Sequence, residues 1–561
     1  MKLLAIVEGL VLLRGVIAGS VPRVRDTTND VTYEGLLRHG IEVFLNIPYG
    51  EDTGGRNRFK PPQRHVPARG STVKAQAYGP SCPQPLGPGF VPVVLGEITK
   101  VSENCLNLNV ARPKGTRAKD RLPVMVWIHG GGFWTGGNNE PTTAPDGLVL
   151  ESVENGLPVI HVAINYRLGF FGFAQSDALE AEGSENAGLR DQRLAFEWVR
   201  DNIRHFGGDP ERITIFGQSS GEKPVPFQRA ICESQALEPG ITGTFTIDAM
   251  QALVDYVGCN RSALNSVETV ECLRTFDTEP LLNASIATKF DDLAHNIGDI
   301  WLPVVDGDFL PAAPSKLIRG GRFAKVPTMI GWTDGDINLF VDFNLKTAKE
   351  MHDLIASYIP DVASENIDAL LSLYPASDFA AQETKSLSAE FFRSSRIIRD
   401  IIMVCWYAEH LVKYGNDEVY LYDWNQTILE PLLEAVVGAP GLGPVHTAEF
   451  AYIFGNLSAY DVPGLPFEPT QEDYALAKRA SRSWSTFANL GRPILKKPDT
   501  LKGFGPALPN KRDVYVFVAG GPNEGLSAID GRHSSPALRA QKLRERCEFI
   551  NSLEMIEQLE F

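Results

Sequence analysis

Positive charge is the first thing this 561-residue chain lacks: 53 lysines and arginines stand against 69 aspartates and glutamates, a formal net charge of −16. An acidic chain of this kind is not built to hold nucleic acid or an anionic membrane surface. Long apolar runs are missing as well. Beyond the first residues none approaches the roughly 18 consecutive apolar positions a membrane span needs, so no stable membrane insertion is expected and the mature chain is predicted to be soluble. No internal repeat, low-complexity tract or shift of composition marks a linker. Cysteine is sparse at seven residues, and 43% hydrophobic with 22% charged residues is ordinary globular composition.

What is present begins with a targeting signal. Lys2 precedes the apolar run Leu3 to Val7, and Val16-Ile17-Ala18 offers a small residue for cleavage, although Glu8 and Arg14 interrupt the stretch. Residues 1–18 are therefore read as a signal peptide and 19–561 as a single domain of a secreted, extracellular protein. Cys82 with Cys105 and Cys259 with Cys272 bracket short loops that disulfides would close, at about 3 kcal/mol each in the chain-entropy account. Cys232, Cys405 and Cys547 are left as buried thiols. The Asn-x-Ser/Thr triplets at Asn260, Asn283, Asn425 and Asn456 fit a secreted glycoprotein.

Strand-like runs at Pro123 to Ile128, Pro158 to Ile164, Arg212 to Phe216, Val326 to Ile330 and Glu418 to Tyr422 alternate with helical patterns, which predicts a mixed α/β sheet. The clearest helix runs from about Leu189 to Phe206, with Leu194, Trp198, Val199, Ile203 and Phe206 on one face and Gly207-Gly208 as its stop. A second helical block near Ala389 to Tyr414 and an amphipathic stretch from Leu538 to Leu559 would cover the sheet.

The chemistry starts where the strand Arg212 to Phe216 runs into Gly217-Gln218-Ser219-Ser220-Gly221, a G-x-S-x-G pattern. A nucleophilic serine needs a sharp strand-to-helix turn, and flanking glycines relieve its crowding. A second strand ends in His129-Gly130-Gly131-Gly132-Phe133, whose glycines let backbone N–H groups converge on the oxyanion of an acyl-transfer intermediate. A serine also needs a base and an orienting acid, which in α/β-hydrolases follow it in the chain order serine, acid, histidine. Asp336, in a polar turn after the run Val326 to Ile330, and His446, in a glycine-rich loop, supply that order.

Together with Asn46-Ile47-Pro48-Tyr49-Gly50, Arg58-Phe59-Lys60-Pro61-Pro62, Ser102 to Val110, Asn165 to Gly169 and Phe206 to Pro210, these motifs make the chain resemble the type B carboxylesterase/lipase family of cholinesterase-like α/β-hydrolases, most of all its secreted fungal members. The resemblance spans nearly the whole chain after the signal segment. It implies an α/β-hydrolase fold, a large mixed and mostly parallel central sheet covered by helices on both faces. It implies Ser219 as nucleophile, His446 as general base, Asp336 as acid and Gly131, Gly132 and Ser220 as oxyanion donors. Asp334 remains a second candidate acid, because many relatives place glutamate followed by glycine where this chain has Asp336-Ile337. The family's disulfides map onto Cys82 with Cys105 and Cys259 with Cys272, and its structural ion pairs onto Arg58 with Glu103 and Arg167 with Asp191.

The activity so implied is hydrolysis of a small-molecule or lipid ester through an acyl-enzyme, with no metal or organic cofactor. The loop from Cys82 to Cys105 holds Phe90 but no tryptophan, so choline esters are not the expected substrates. Trp134, Trp301 and Trp332 are candidates for lining a pocket, although tryptophan is more often core. The fold also carries catalytically silent binding proteins, but those lose triad residues, and here all three remain.

One departure stands out. Relatives pass from the nucleophile through a helix and a loop before their next strand, whereas here only Gly221 to Pro226 precede Phe227. Pro224 and Pro226 rule out a regular helix there, and a parallel crossover needs a dozen or more residues. Either the protein is truncated at this point or the translated sequence skips coding sequence, and retention of every other element favours the second. A chain with the helix restored is expected to be the more active.

Overall fold

The computed structural model describes residues 21–218, 227–291, 299–405, 418–495, 499–510 and 512–561. The serines at 219 and 220, the span to Pro226 and the leader segment at 1–18 lie outside the described residues.

Eleven strands form one sheet among the described residues. In chain order they are β1 (Leu36–Arg38), β2 (Ile41–Pro48), β3 (Asn107–Pro113), β4 (Leu122–Ile128), β5 (Ile160–Ile164), β6 (Gly208–Gln218), β7 (Arg229–Glu233), β8 (Thr328–Thr333), β9 (Val419–Trp424), β10 (Tyr515–Ala519) and β11 (Gly525–Ala528). Their spatial order is β11-β10-β9-β8-β7-β6-β4-β5-β3-β2-β1. The run from β5 to β10 is parallel throughout. The edges are antiparallel. The expected mixed, mostly parallel sheet is therefore present.

Central parallel strands are covered on both faces, so their sequences run as near-continuous apolar stretches rather than alternating. Strand β4 illustrates this: every residue from Pro123 to Ile128 is buried. Val124, Val126 and Ile128 pack with the layer of helix α1 (Ala187–Asn202), through Ala195, Phe196 and Val199. Met125 and Trp127 pack on the opposite layer with helix α3 (Gln471–Leu490), through Ala480, Trp484 and Phe487. The predicted helix from Leu189 to Phe206 is α1 followed by one tighter turn, Ile203–Phe206, closed by Gly207 at φ +93°.

The block from Ala389 is helix α2 (Ala389–Arg399), which widens over Asp400–Val404; the rest of the predicted block, from 406 on, lies outside the described residues. The terminal stretch resolves into α4 (Pro536–Gln541), α5 (Leu543–Ile550) and α6 (Leu553–Gln558). Lys542 at φ +48° breaks the first from the second.

Both expected disulfides are formed, Cys82–Cys105 and Cys259–Cys272. The reading of Cys405 and Cys547 as thiols is corrected, because these two form a third disulfide with Cα atoms 4.7 Å apart. They lie 142 residues apart in sequence, and only the packing of α5 against the end of α2 brings them together. Cys232 on β7 is in none of the three. The buried ion pairs also stand where the family places them, Arg58 with Glu103 at 2.6 Å and Arg167 with Asp191 at 2.7 Å.

Candidate active site

Strands β4, β6 and β8 are parallel, so their C-terminal ends open on one edge of the sheet, where open α/β sheets hold their ligands. The HGGGF turn leaves β4 after Ile128, Ser219 follows Gln218 at the end of β6, and Asp336 follows β8 by three residues. Gly217 is paired with Ile128, which sets the first two elements side by side.

His446 arrives from a distant loop that is laced to the acid turn. Gly335 pairs with Val445 and donates its N–H to Pro444 O at 2.9 Å, and Asn338 Nδ2 donates to Leu442 O at 2.6 Å. This lacing holds His446 Nδ1 at 2.7 Å from Asp336 Oδ1. The other carboxylate oxygen, Oδ2, accepts the N–H of Thr333 at 2.8 Å. With Asp336 accepting from Nδ1–H, the lone pair of the ring sits on Nε2. That atom contacts Gln218 Nε2, the side chain immediately before Ser219.

Asp334, the second candidate, points elsewhere: its Oδ1 lies 3.0 Å from Arg396 and 3.5 Å from Arg399. It is bound as the partner of two buried guanidinium groups and does not meet the histidine.

The HGGGF turn is held from behind. His129 stacks on Tyr166 with ring centroids 4.6 Å apart, and Tyr166 donates its hydroxyl to His129 O at 2.9 Å. Burial pushes the imidazole of His129 down to about 4, so it is a neutral structural group. Gly131 and Gly132 have φ of +112° and +59°, a region glycine reaches without strain. A methyl on Gly132 would collide with the carboxylate of Asp299. Trp134 and Thr135 both donate to Gly131 O at 2.9 Å. Among the described residues, neither the Gly131 nor the Gly132 N–H is spent on a backbone acceptor.

A cavity of about 470 Å³ opens from Gly132 and runs over the sheet beside Ile215, Gly217 and Ala230, bounded further out by Leu302 and Ile318. Asp299 and Glu238 line it too, and burial raises their carboxyls to about 6 and about 8. None of the three candidate tryptophans lines it: Trp301 and Trp332 are core, and Trp134 carries Lys289 over its ring at 5.0 Å. Sequence reasoning passed over Asp299 and Glu238, because isolated acidic residues carry no motif.

The cavity lies beside β7, which pairs parallel with β6 although only the ten residues 219–228 join them. The chain must return from Gln218 to Gln228, which donates its N–H to Ile213 O. Five residues of strand are about 17 Å. Ten residues in extended form cover that distance easily, whereas as helix they would rise about 15 Å and still need turns at both ends. Parallel pairing thus survives a link shorter than the expected dozen residues.

The carboxylesterase family matches residues 22–516. The chain is 52% identical to a secreted lipase of Arthroderma benhamiae over 98% of both chains. It is 34% identical to lipase 1 of Geotrichum candidum over 76% of this chain and 83% of that one. An inactive carboxylesterase-like protein of Byssochlamys spectabilis is also 34% identical, over 95% of each. Among solved structures, a PNB esterase superposes with a TM-score of 0.71 at 26% identity, covering 93% of this chain and 99% of that one. Aspergillus niger EstA superposes with a TM-score of 0.74 at 22% identity, over 96% and 99%. The chain belongs to the carboxylesterase family and is a serine carboxylic ester hydrolase of α/β-hydrolase fold.

Proposed function

We propose that this chain hydrolyses small-molecule or lipid esters outside the cell by a triad of Ser219, His446 and Asp336. His446 Nε2 takes the Ser219 proton, and the freed oxygen attacks the ester carbonyl. The N–H groups of Gly131, Gly132 and Ser220 receive the oxyanion. Collapse expels the alcohol, which takes its proton from His446, and water repeats the sequence to release the acid. The observation that carries this reading is the 2.7 Å contact of Asp336 with His446 Nδ1, which leaves Nε2 beside the residue preceding Ser219. The three disulfides and the secreted lipase of Arthroderma benhamiae support an extracellular site of action.

The test is hydrolysis of a short p-nitrophenyl ester, beside Ser219→Ala and beside a chain with a family-length helix inserted after Gly221. Turnover that Ser219→Ala abolishes, with stoichiometric labelling by an organophosphate, supports the triad. Activity that persists in Ser219→Ala assigns the nucleophile to another residue. Activity confined to the inserted chain shows that the short link, not the triad, is at fault.

A further inference from the structure

Behind the triad acid lies a second group of carboxyls that the mechanism does not use. The register places Gln218, Glu233, Gly331 and Tyr422 in one row across β6, β7, β8 and β9. Gly331 has no side chain, and a Cβ there would strike the ring of Tyr422. That gap lets the ring of Tyr422 lie across β8 toward Glu233. From the helical layer, Trp484 of α3 donates its Nε1–H to Glu233 Oε1 at 2.7 Å. Glu449, three residues after His446, completes the group. Glu233, Asp336 and Glu449 are each fully buried.

The three carboxyls are not equally provided for. Asp336 has an N–H donor on each oxygen, from His446 and from Thr333. Glu233 has one donor, Trp484, and its Oε2 has no hydrogen-bond partner among the described residues. Glu449 has no formed hydrogen bond on either oxygen; its own backbone N–H and the hydroxyl of Ser234 face it without the geometry of a formed bond. No cation is among the groups acting on Glu233 or Glu449. The groups facing the pair are Asp336 from the turn after β8, Tyr422 from β9, Cys232 from β7, Ser234 just past its end, and Trp484 from α3. Tyr460, itself facing Glu140, and His446, through Asp336, complete the surroundings. A buried ionised carboxylate without donor or cation is expensive, whereas a protonated one supplies the O–H donor such a set lacks.

We propose that Glu233 and Glu449 are uncharged at neutral pH and hold their protons behind Asp336, leaving Asp336 the one carboxylate hydrogen-bonded to His446, with Asp299 acting on that ring from the cavity side. They touch no substrate, and in the neutral form they add no negative charge behind the Asp336–His446 pair. The inference concerns the same site as the proposed triad but does not depend on turnover. Burial raises Glu233 to about 8 and Glu449 well above its ordinary value, in the same direction as the hydrogen-bond argument.

An amide mimics a neutral carboxyl, so Glu233→Gln and Glu449→Gln test the charge directly. In each, kcat/KM at pH 7 stays within about threefold of the parent, and the acid limb set by His446 does not move. Infrared titration of the parent shows protonated buried carboxyl at pH 7 that is lost on alkalinisation, and each variant has less of it. Removal of a real charge would instead shift the acid limb down by about half a pH unit or more, and that result overturns the proposal.

Melting supplies a readout that needs no activity. A carboxyl raised to about 8 from the ordinary 4.5 binds a proton in the folded chain that the unfolded chain has released. Its stabilisation is complete below 4.5 and falls as pH rises through about 8. The parent therefore loses melting temperature as pH rises from about 4.5 through about 8, and Glu233→Gln loses less. An identical slope, with no protonated carboxyl signal in the parent, sinks the idea even if the chain hydrolyses nothing. Should Glu233→Gln not fold, Glu449→Gln and the titration of the parent decide the same question.

Discussion

The two sides of strand β6 are built to different standards. On the side of α3, Gln218 meets a histidine loop cross-tied to the acid turn, and the residues behind it are fully buried carboxyls and aromatics. On the other side, Ile215 and Gly217 face a cavity of about 470 Å³, and the link to β7 is ten residues long. Asp336 and His446 are held by strand ends and loop lacing, so their geometry does not depend on what covers the opposite face. The helix that the family resemblance leads one to expect over β6 would therefore bear on Ser219 more than on Asp336 and His446.

The largest test of that difference separates the two aspartates on the laced side. Asp336→Asn loses the acceptor for Nδ1–H and is expected to lower kcat by about 10⁴-fold, since the amide favours the wrong tautomer. Asp334→Asn weakens contacts to Arg396 and Arg399 and is expected to cost kcat less than about tenfold, with some loss of melting temperature. Comparable losses in both would mean that the acid had been misassigned. On the cavity side, Gly132→Ala sets a methyl against Asp299 at φ +59° and displaces a candidate oxyanion donor. A fall of about 10²–10³-fold in kcat, with KM little changed, is the expected outcome.

How far the sequence spoke follows the same division. The strands, α1, the HGGGF turn and the order of Ser219, Asp336 and His446 were legible because each rests on local pattern or on a motif with mechanical content. The sequence put Asp336 first but left Asp334 as a weaker rival, since what separates them is which carboxylate the two arginines of α2 capture. Nor could Cys405 and Cys547 be paired, because the packing of α5 on the end of α2 is a tertiary fact. Glu233 and Glu449 were invisible for a related reason: only the parallel register, with the gap at Gly331, carries β7 and β9 side chains toward one place.

That third disulfide gives a test of intermediate size. Replacing both Cys405 and Cys547 by serine frees a closure of 142 residues, and the unfolding free energy should drop by about 2–5 kcal/mol. The denaturant midpoint reads it. If the Asp336–His446 contact is held by loop lacing alone, kcat of the folded variant stays near that of the parent. A matching loss of kcat would show that the whole α2–α5 layer, not the lacing, sets the site.

The smallest expected effect compares one substitution on both sides of the sheet. Ala480 is fully buried where α3 packs on the strands, and Ala230 on β7 is half-buried at the cavity. Leucine at 480 must displace a closed core, so Ala480→Leu should cost about 1–3 kcal/mol. Leucine at 230 enters space that is already empty, and Ala230→Leu should be neutral or stabilising by up to about 1 kcal/mol. Equal destabilisation by the two would mean that in solution the cavity is filled. Retained stability of Ala230→Leu with a lowered kcat would show instead that the empty space is part of the route an ester takes to Gly132.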